Sequence, residues 1–167
     1  MQQTIESTSE AVATASARIE RFSERLIHLF SYVPDDRLTW TPSPTAKSSL
    51  RIVAHCALVS RFFANIITES MPVPMPLPEE YFKSLYEAEE KIATREGAVA
   101  LVTETTAELR KALETVNGRK SSSAPNSPFG PIPMAFWVDM GSEHLADHVG
   151  QLEYLQTIWG DLDNHLA

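Results

Sequence analysis

Apolar residues in the first third of the chain recur at alternating steps of three and four, the spacing that places side chains on one face of an α-helix. This first stripe consists of Val12, Ala15, Ile19, Phe22, Leu26, Leu29 and Val33. It predicts a helix over residues 9 to 32. Pro34, Pro42 and Pro44 then stop the helix, because proline has no amide hydrogen and disfavours helix in the residue before it. We therefore expect a loop from Val33 to Lys47.

Three further stripes with the same spacing predict three more long helices. The second helix is capped by Ser48 or Ser49, and its stripe is Ile52, His55, Val59, Phe62 and Ile66. The third starts at Thr94 and ends at Asn117-Gly118, and its stripe is Val99, Val102, Thr106, Leu109, Leu113 and Val116. The fourth ends near Gly160, and its stripe is Gly141, His144, Leu145, His148, Leu152, Leu155 and Trp159.

The segments between these helices are rich in residues that break helices. Alternating prolines in PVPMPLP, from Pro72 to Pro78, predict a stiff connector of polyproline type. A short helix is possible from Glu79 to Lys91, whereas residues 119 to 133 contain too much Pro, Ser and Gly for regular structure. Because all three connections are long, neighbouring helices need not be antiparallel.

The pattern as a whole predicts a single all-α domain over residues 1–167, folded as a four-helix bundle. No segment alternates with period two, and no internal repeat is visible, so neither strands nor a solenoid are expected. Four amphipathic helices bury their stripes most simply against one another. Val102 and Leu109 are expected in that core.

Charge and cysteine content narrow the function and the compartment. The net charge of −8 repels a phosphate backbone, and no cluster of Lys and Arg offsets it, so nucleic-acid binding is not expected. Cys56 is the only cysteine, which excludes an intramolecular disulfide and fits a reducing compartment. The sequence shows neither a signal peptide nor an apolar run of about 18 residues. We expect a cytoplasmic protein that does not bind membranes.

Three histidines fall in the apolar stripes. His144 and His148 are four residues apart, which brings them one above the other on a helix, and His55 lies in the stripe of the second helix. One interpretation is three separate core histidines, each bonded to a carbonyl or a carboxylate. The other is a shared metal ion, since neutral imidazoles are good ligands for Zn, Ni, Cu or Fe. Three protein ligands would leave a coordination position open for water or substrate, as in catalytic sites.

Other chemistry-bearing residues receive weaker interpretations. His28 and His165 are expected at the surface and are not counted as ligands, and Cys56 is expected to be a small buried hydrophobe. Glu143 and Asp147 fall off the stripe, so they are solvated carboxylates or outer contacts of an imidazole. The sequence lacks a phosphate-binding loop, a His-Glu-x-x-His motif, a Gly-x-Ser-x-Gly motif and the repeated Glu-x-x-His of di-iron bundles.

Two stretches, ERLIHLFSYVPDDRLTWTPSPTAKSSLRIVAHCALVSRFF and SEHLADHVGQLEYLQTIWG, are similar in order and spacing to the DinB-like superfamily. The resemblance implies an up-down-down-up bundle, frequent homodimers, and a Zn or Ni ion bound by His55, His144, His148 and water. Several relatives carry Arg or Tyr after the last histidine, where this chain has Val149. A substrate contact from that position is therefore not expected here.

The resemblance does not fix a reaction. Some relatives are metal-dependent transferases or isomerases that use low-molecular-weight thiols, others resemble metal-dependent hydrolases, and many have no established activity. The first hypothesis is a thiol S-transferase whose metal activates a thiol or water. The alternatives are a metal-dependent hydrolase, a non-catalytic metal-binding stress-response protein, and a scaffold with structural histidines. No catalytic residue and no organic cofactor site is assigned.

Overall fold

The computed structural model describes residues 2–72, 76–116 and 123–166, with side chains from residue 9 onward. It contains five α-helices, namely α1 (Gln2–Ser31), α2 (Ser49–Ile67), α3 (Pro78–Glu90), α4 (Arg95–Glu114) and α5 (Met134–Ile158). Within those ranges there is no strand, so the all-helical class is confirmed.

The predicted starts of α2 and α4 are confirmed by their capping hydrogen bonds. The Ser48 hydroxyl accepts a hydrogen bond from the amide of Arg51 at 3.3 Å. At the start of α4 the Thr94 hydroxyl accepts one from the amide of Gly97 at 3.1 Å. Each cap satisfies an amide that has no partner within its own helix.

The last helix starts directly after the segment predicted to be irregular, whereas the first helix begins earlier than predicted. The stripe of α5, predicted from Gly141 onward, extends upstream to the buried Met134 and Trp137. The N-cap residue of α5 is Pro133, so the helix starts directly after the last proline of the connection. The first helix starts at Gln2 rather than at residue 9. Its first turns carry no apolar stripe, but extending an existing helix adds one hydrogen bond for each residue fixed.

The connections largely match their predictions where the structure describes them. The short helix α3 is present, and Leu77 before it has φ −62° and ψ 149°, which are polyproline-like angles. The first loop contains a single 3-10 turn over Asp35–Arg37. Residues 73–75 of the proline connector and the expected stop at Asn117-Gly118 lie outside the described residues.

Contacts between the long helices establish their directions. Helix α1 packs against α4 and α5, and α2 packs against the same two helices. Arg110 of α4 reaches Glu20, whereas Arg95 at its other end reaches the carbonyl of Phe30, so α1 and α4 are antiparallel. Because Arg25 of α1 bonds Glu153 and the side chain of Ile19 lies beside Gly141, α1 and α5 run in parallel.

The remaining pairs complete the order. Arg61 of α2 bonds Glu108 of α4, while Thr68 lies in the same groove as Thr115, so these helices are parallel. The Phe63 ring is 6.1 Å from the Trp137 ring, and Ile52 shares a cleft with Leu155, so α2 and α5 are antiparallel. The four long helices therefore follow the expected up-down-down-up order. This order places the histidine stripe of α2 against that of α5.

A single cluster of buried apolar side chains fills the space between the helices, and it includes Val102 and Leu109 as predicted. Contrary to the expectation of no apolar run of about 18 residues, α2 is long and apolar enough to cross a membrane, but 72% of this apolar stretch is buried within the protein. This helix is therefore the core helix of the fold.

Candidate metal centre

The structure brings the three predicted ligands together on the adjacent faces of α2 and α5. The Nε2 atom of His144 lies 3.2 Å from Nε2 of His55 and 3.1 Å from Nε2 of His148. One ligand atom from each of the three residues lies within 4.8 Å of the other two. Since His144 and His148 are one turn apart on α5, only His55 depends on helix packing for its position.

The spacing of these nitrogens fits a common metal. In a tetrahedral site with Zn–N bonds of 2.0–2.1 Å, adjacent ligand nitrogens are about 3.3 Å apart. The distances from His144 to the other two ligands are close to this value. Three imidazoles account for three positions of such a site, so the donor set fits a divalent ion with one position open.

Burial keeps His144 and His148 in the form that binds metal. It lowers the pKa of His144 from 6.5 to about 2, and the neighbouring His148, His55 and Lys47 act in the same direction. Burial also lowers the pKa of His148, although a hydrogen bond to Gln151 opposes the shift. Both imidazoles are therefore neutral at physiological pH and have a lone pair available.

Two side chains determine which nitrogen of each ring carries the hydrogen. Glu89 Oε1 is 2.6 Å from Nδ1 of His55, and Gln151 Oε1 is 2.8 Å from Nδ1 of His148. A carboxylate and an amide oxygen can only accept, so Nδ1 donates in both rings, and in a neutral ring the lone pair is then on Nε2. The tautomers required for metal binding through Nε2 are thus present in His55 and His148.

Glu89 is itself paired with a cation. Its second oxygen accepts a hydrogen bond from Nζ of Lys47 at 2.6 Å. Burial would raise the pKa of Glu89, but hydrogen bonds from His55 and Lys47 outweigh it and lower the pKa. The carboxylate beside His55 is therefore ionised. In contrast, Nδ1 of His144 is buried and has no hydrogen-bond partner among the described residues.

The outer contacts differ from those considered in the sequence. Glu143 and Asp147 are exposed, and within the described part of the chain neither bonds an imidazole. Their place is taken by Glu89 and Gln151, which sequence reasoning did not single out. The spacing of His148 and Gln151, three residues apart on one helix, was a usable signal. No local signal pointed to Glu89, which lies on a different helix.

The remaining candidates lie away from the centre or are buried. His28 and His165 are not part of the cluster, but they are partly buried rather than at the surface. Both contact the Tyr32 ring, at centroid distances of 5.1 and 4.0 Å. Cys56 is fully buried as expected, and burial raises the pKa of its thiol. Val149 is a buried member of the core cluster.

A cleft of about 380 Å³ reaches the centre from one side. His148 lies in its wall, together with the polar side chains of Lys47, Gln151 and Tyr154. The apolar part of the wall is formed by Pro42, Ala46, Ile52, Leu155 and Ile158. The cleft is large enough for a small organic molecule next to a metal ligand.

Comparison with known proteins agrees with this architecture. The sequence profile of the DinB superfamily matches residues 18–152. No curated protein matches the chain. The crystal structure of a DinB-like protein, YjoA from Bacillus subtilis, superposes with a TM-score of 0.65 at 16% identity, covering 90% of this chain and 94% of that one. At this identity the likeness shows the fold alone. The profile match extends over most of the chain, which therefore belongs to the DinB superfamily.

Proposed function

We propose that this protein is a metal-dependent enzyme that activates a low-molecular-weight thiol at its three-histidine site and transfers the sulfur to an electrophile. The observation that carries the proposal is the convergence of three imidazole Nε2 atoms beside a cleft. A structural metal site is closed to small molecules, whereas a catalytic site must be open to its substrate.

The residues of the centre have two roles, to bind the metal ion and to orient the histidine rings. His55, His144 and His148 would hold the ion, while Glu89 and Gln151 fix two of the rings. When bound, a divalent metal lowers the pKa of a coordinated thiol or water and so supplies an anionic nucleophile near neutral pH. In the overall reaction the thiol loses its proton, sulfur bonds the electrophilic carbon, and the leaving group departs with its electron pair.

The lining of the cleft favours an organic thiol over water as the nucleophile. Its apolar wall favours an organic molecule, and the Lys47 ammonium and Gln151 amide in the wall can orient polar groups of that molecule. A thiolate is also a softer ligand than hydroxide and a stronger nucleophile. We propose Zn or Ni as the metal, a cytoplasmic location, and a homodimer as the assembly.

The test compares conjugation catalysed by metal-loaded wild type with that of two histidine variants. Purified protein is incubated with an electrophilic acceptor and a panel of low-molecular-weight thiols. We expect one thiol to be conjugated faster in the presence of metal, and His148→Ala to abolish the acceleration. The matched control is His28→Ala, which removes a partly buried histidine outside the centre.

The other outcomes select between the alternatives. Equal conjugation rates with and without metal, together with metal-dependent cleavage of ester or amide substrates, would replace the transferase by a hydrolase. Stoichiometric metal binding without either activity would leave a non-catalytic metal-binding protein. Failure of wild type to bind metal would overturn the proposal as a whole.

A further inference from the structure

Glu89 is an unusual residue to find on the buried face of a short helix. Helix α3 buries only Leu85 and Glu89, which are four residues apart and therefore on the same face. This face packs against α2, and the side chain of Glu89 is 3% exposed. Near its C-terminal end, α3 therefore contacts the rest of the protein through a carboxylate.

A carboxylate is a costly choice if this position serves only to hold the helix. Burial takes the carboxylate of Glu89 out of water, whereas its partner Lys47 stays partly exposed, and apolar replacements of buried charged groups are often neutral or stabilising. Tyr81 already supplies aromatic contact between α3 and α2, with its ring 4.5 Å from that of Phe62. Packing alone therefore does not explain why this position carries a charged residue.

The contacts of Glu89 indicate that purpose. Its Oε1 accepts from Nδ1 of His55, and its Oε2 accepts from Lys47, each at 2.6 Å. His55 Nε2 faces the other two imidazoles. One carboxylate therefore connects the end of the first loop, α3, and the ligand contributed by α2.

We propose that Glu89 is a positioning residue for the metal centre, and that it couples metal binding to the docking of α3. The inference rests on the metal binding in the proposed function, but not on the reaction. Glu89 holds His55 in the tautomer and ring orientation that direct its Nε2 lone pair at the metal, and Lys47 keeps Glu89 ionised and in place.

The coupling follows from thermodynamic reciprocity. If a docked α3 strengthens metal binding through Glu89, then bound metal strengthens the docking of α3 by the same factor. Metal should therefore protect the amides of residues 78–90, although α3 supplies none of the three ligands.

Three variants separate the contributions of Glu89. Glu89→Ala removes both the hydrogen bond and the charge, and we expect the dissociation constant for Zn²⁺ to rise about 10- to 100-fold. Glu89→Gln keeps an oxygen that accepts from His55 and should recover part of that loss. The matched control is Glu90→Ala, because the neighbouring Glu90 side chain is 70% exposed and its nearest cation, Arg51, is 3.8 Å away.

Two measurements test positioning and coupling separately. Nitrogen-15 NMR of the metal-free protein should show His55 as one tautomer with the hydrogen on Nδ1 in wild type, and as a tautomer mixture in Glu89→Ala. After Zn²⁺ is added to wild type, hydrogen exchange in α3 should slow by more than in α4, which also supplies no ligand and so reports general stabilisation, and the difference should be smaller in Glu89→Ala. Glu90→Ala should match wild type in both measurements.

The outcomes distinguish this inference from the proposed function. If wild type fails to bind Zn²⁺, the proposed function falls. If wild type binds Zn²⁺ but Glu89→Ala binds it equally well, the positioning role of Glu89 is wrong. If Glu89→Ala does not fold, comparing wild type with Glu89→Gln in the same measurements still tests the role of Glu89. Unchanged exchange of α3 on Zn²⁺ addition to wild type would overturn the coupling.

Discussion

Alanine should stabilise the protein at one glycine of α5 and not at another. A Cβ atom built at Gly150 has nothing within 4 Å, whereas one built at Gly141 lies 2.7 Å from Cδ2 of Leu109 and 3.6 Å from Cδ1 of Ile19. In both places alanine removes the entropy cost of glycine within a helix, which is about 0.5–1 kcal/mol. Gly150→Ala should therefore raise the free energy of unfolding by about that amount.

At Gly141 the gain is opposed by overpacking. Leu109 is fully buried, so its methyl group cannot move into solvent to make room. Inserting a methyl group into a packed core costs about 1–3 kcal/mol. The net effect of Gly141→Ala should therefore range from about zero to about 2.5 kcal/mol of destabilisation, and the two alanine variants should differ by about 1–3 kcal/mol.

A double-mutant cycle tests the contact directly. Leu109→Ala removes the opposing methyl group and should itself cost about 2–5 kcal/mol. In that background Gly141→Ala should become stabilising, which gives a coupling energy of about 1–3 kcal/mol. Urea unfolding of the metal-free proteins, followed by circular dichroism, supplies the free energies. If Gly141→Ala stabilised wild type as much as Gly150→Ala does, the close approach of α5 to α4 would be wrong.

Three further results are expected. Elemental analysis should find about one ion per wild-type chain, none in His148→Ala and a full complement in His28→Ala; equal loss in both variants would contradict the site. Because the pKa of His144 is lowered from 6.5 to about 2 on folding, the unfolded chain binds more protons below pH 6.5. The stability of metal-free protein should therefore fall as the pH drops below 6.5, and a flat denaturation profile from about pH 7.5 to 5 would contradict this. Ser48→Ala should cost about 0.5–2 kcal/mol in chemical denaturation and Ser48→Gly only a few tenths; a silent Ser48→Ala would mean that the cap contributes nothing.

The sequence by itself determined the helices and part of the site. Apolar spacing and capping residues are local properties, so the start at Thr94 could be predicted to the residue and the cap of α2 to one of two neighbouring serines. The proximity of His144 and His148 follows from the helical repeat alone. The start of α5 at Met134 follows directly on the predicted irregular segment, although the predicted stripe began only at Gly141. The polar first turns of α1 carry no such pattern.

Only the tertiary structure decided which stripes face each other and what supports the ligands. A stripe shows that His55 points inward, but not that α2 lies beside α5. Glu89 is 34 residues from His55 along the chain, and Lys47 is 42 residues from Glu89. Residues so far apart meet through the packing of whole helices, which periodicity does not specify. The sequence thus determined the face on which each ligand lies, while helix packing created the centre, because a shared site requires faces from different helices to meet.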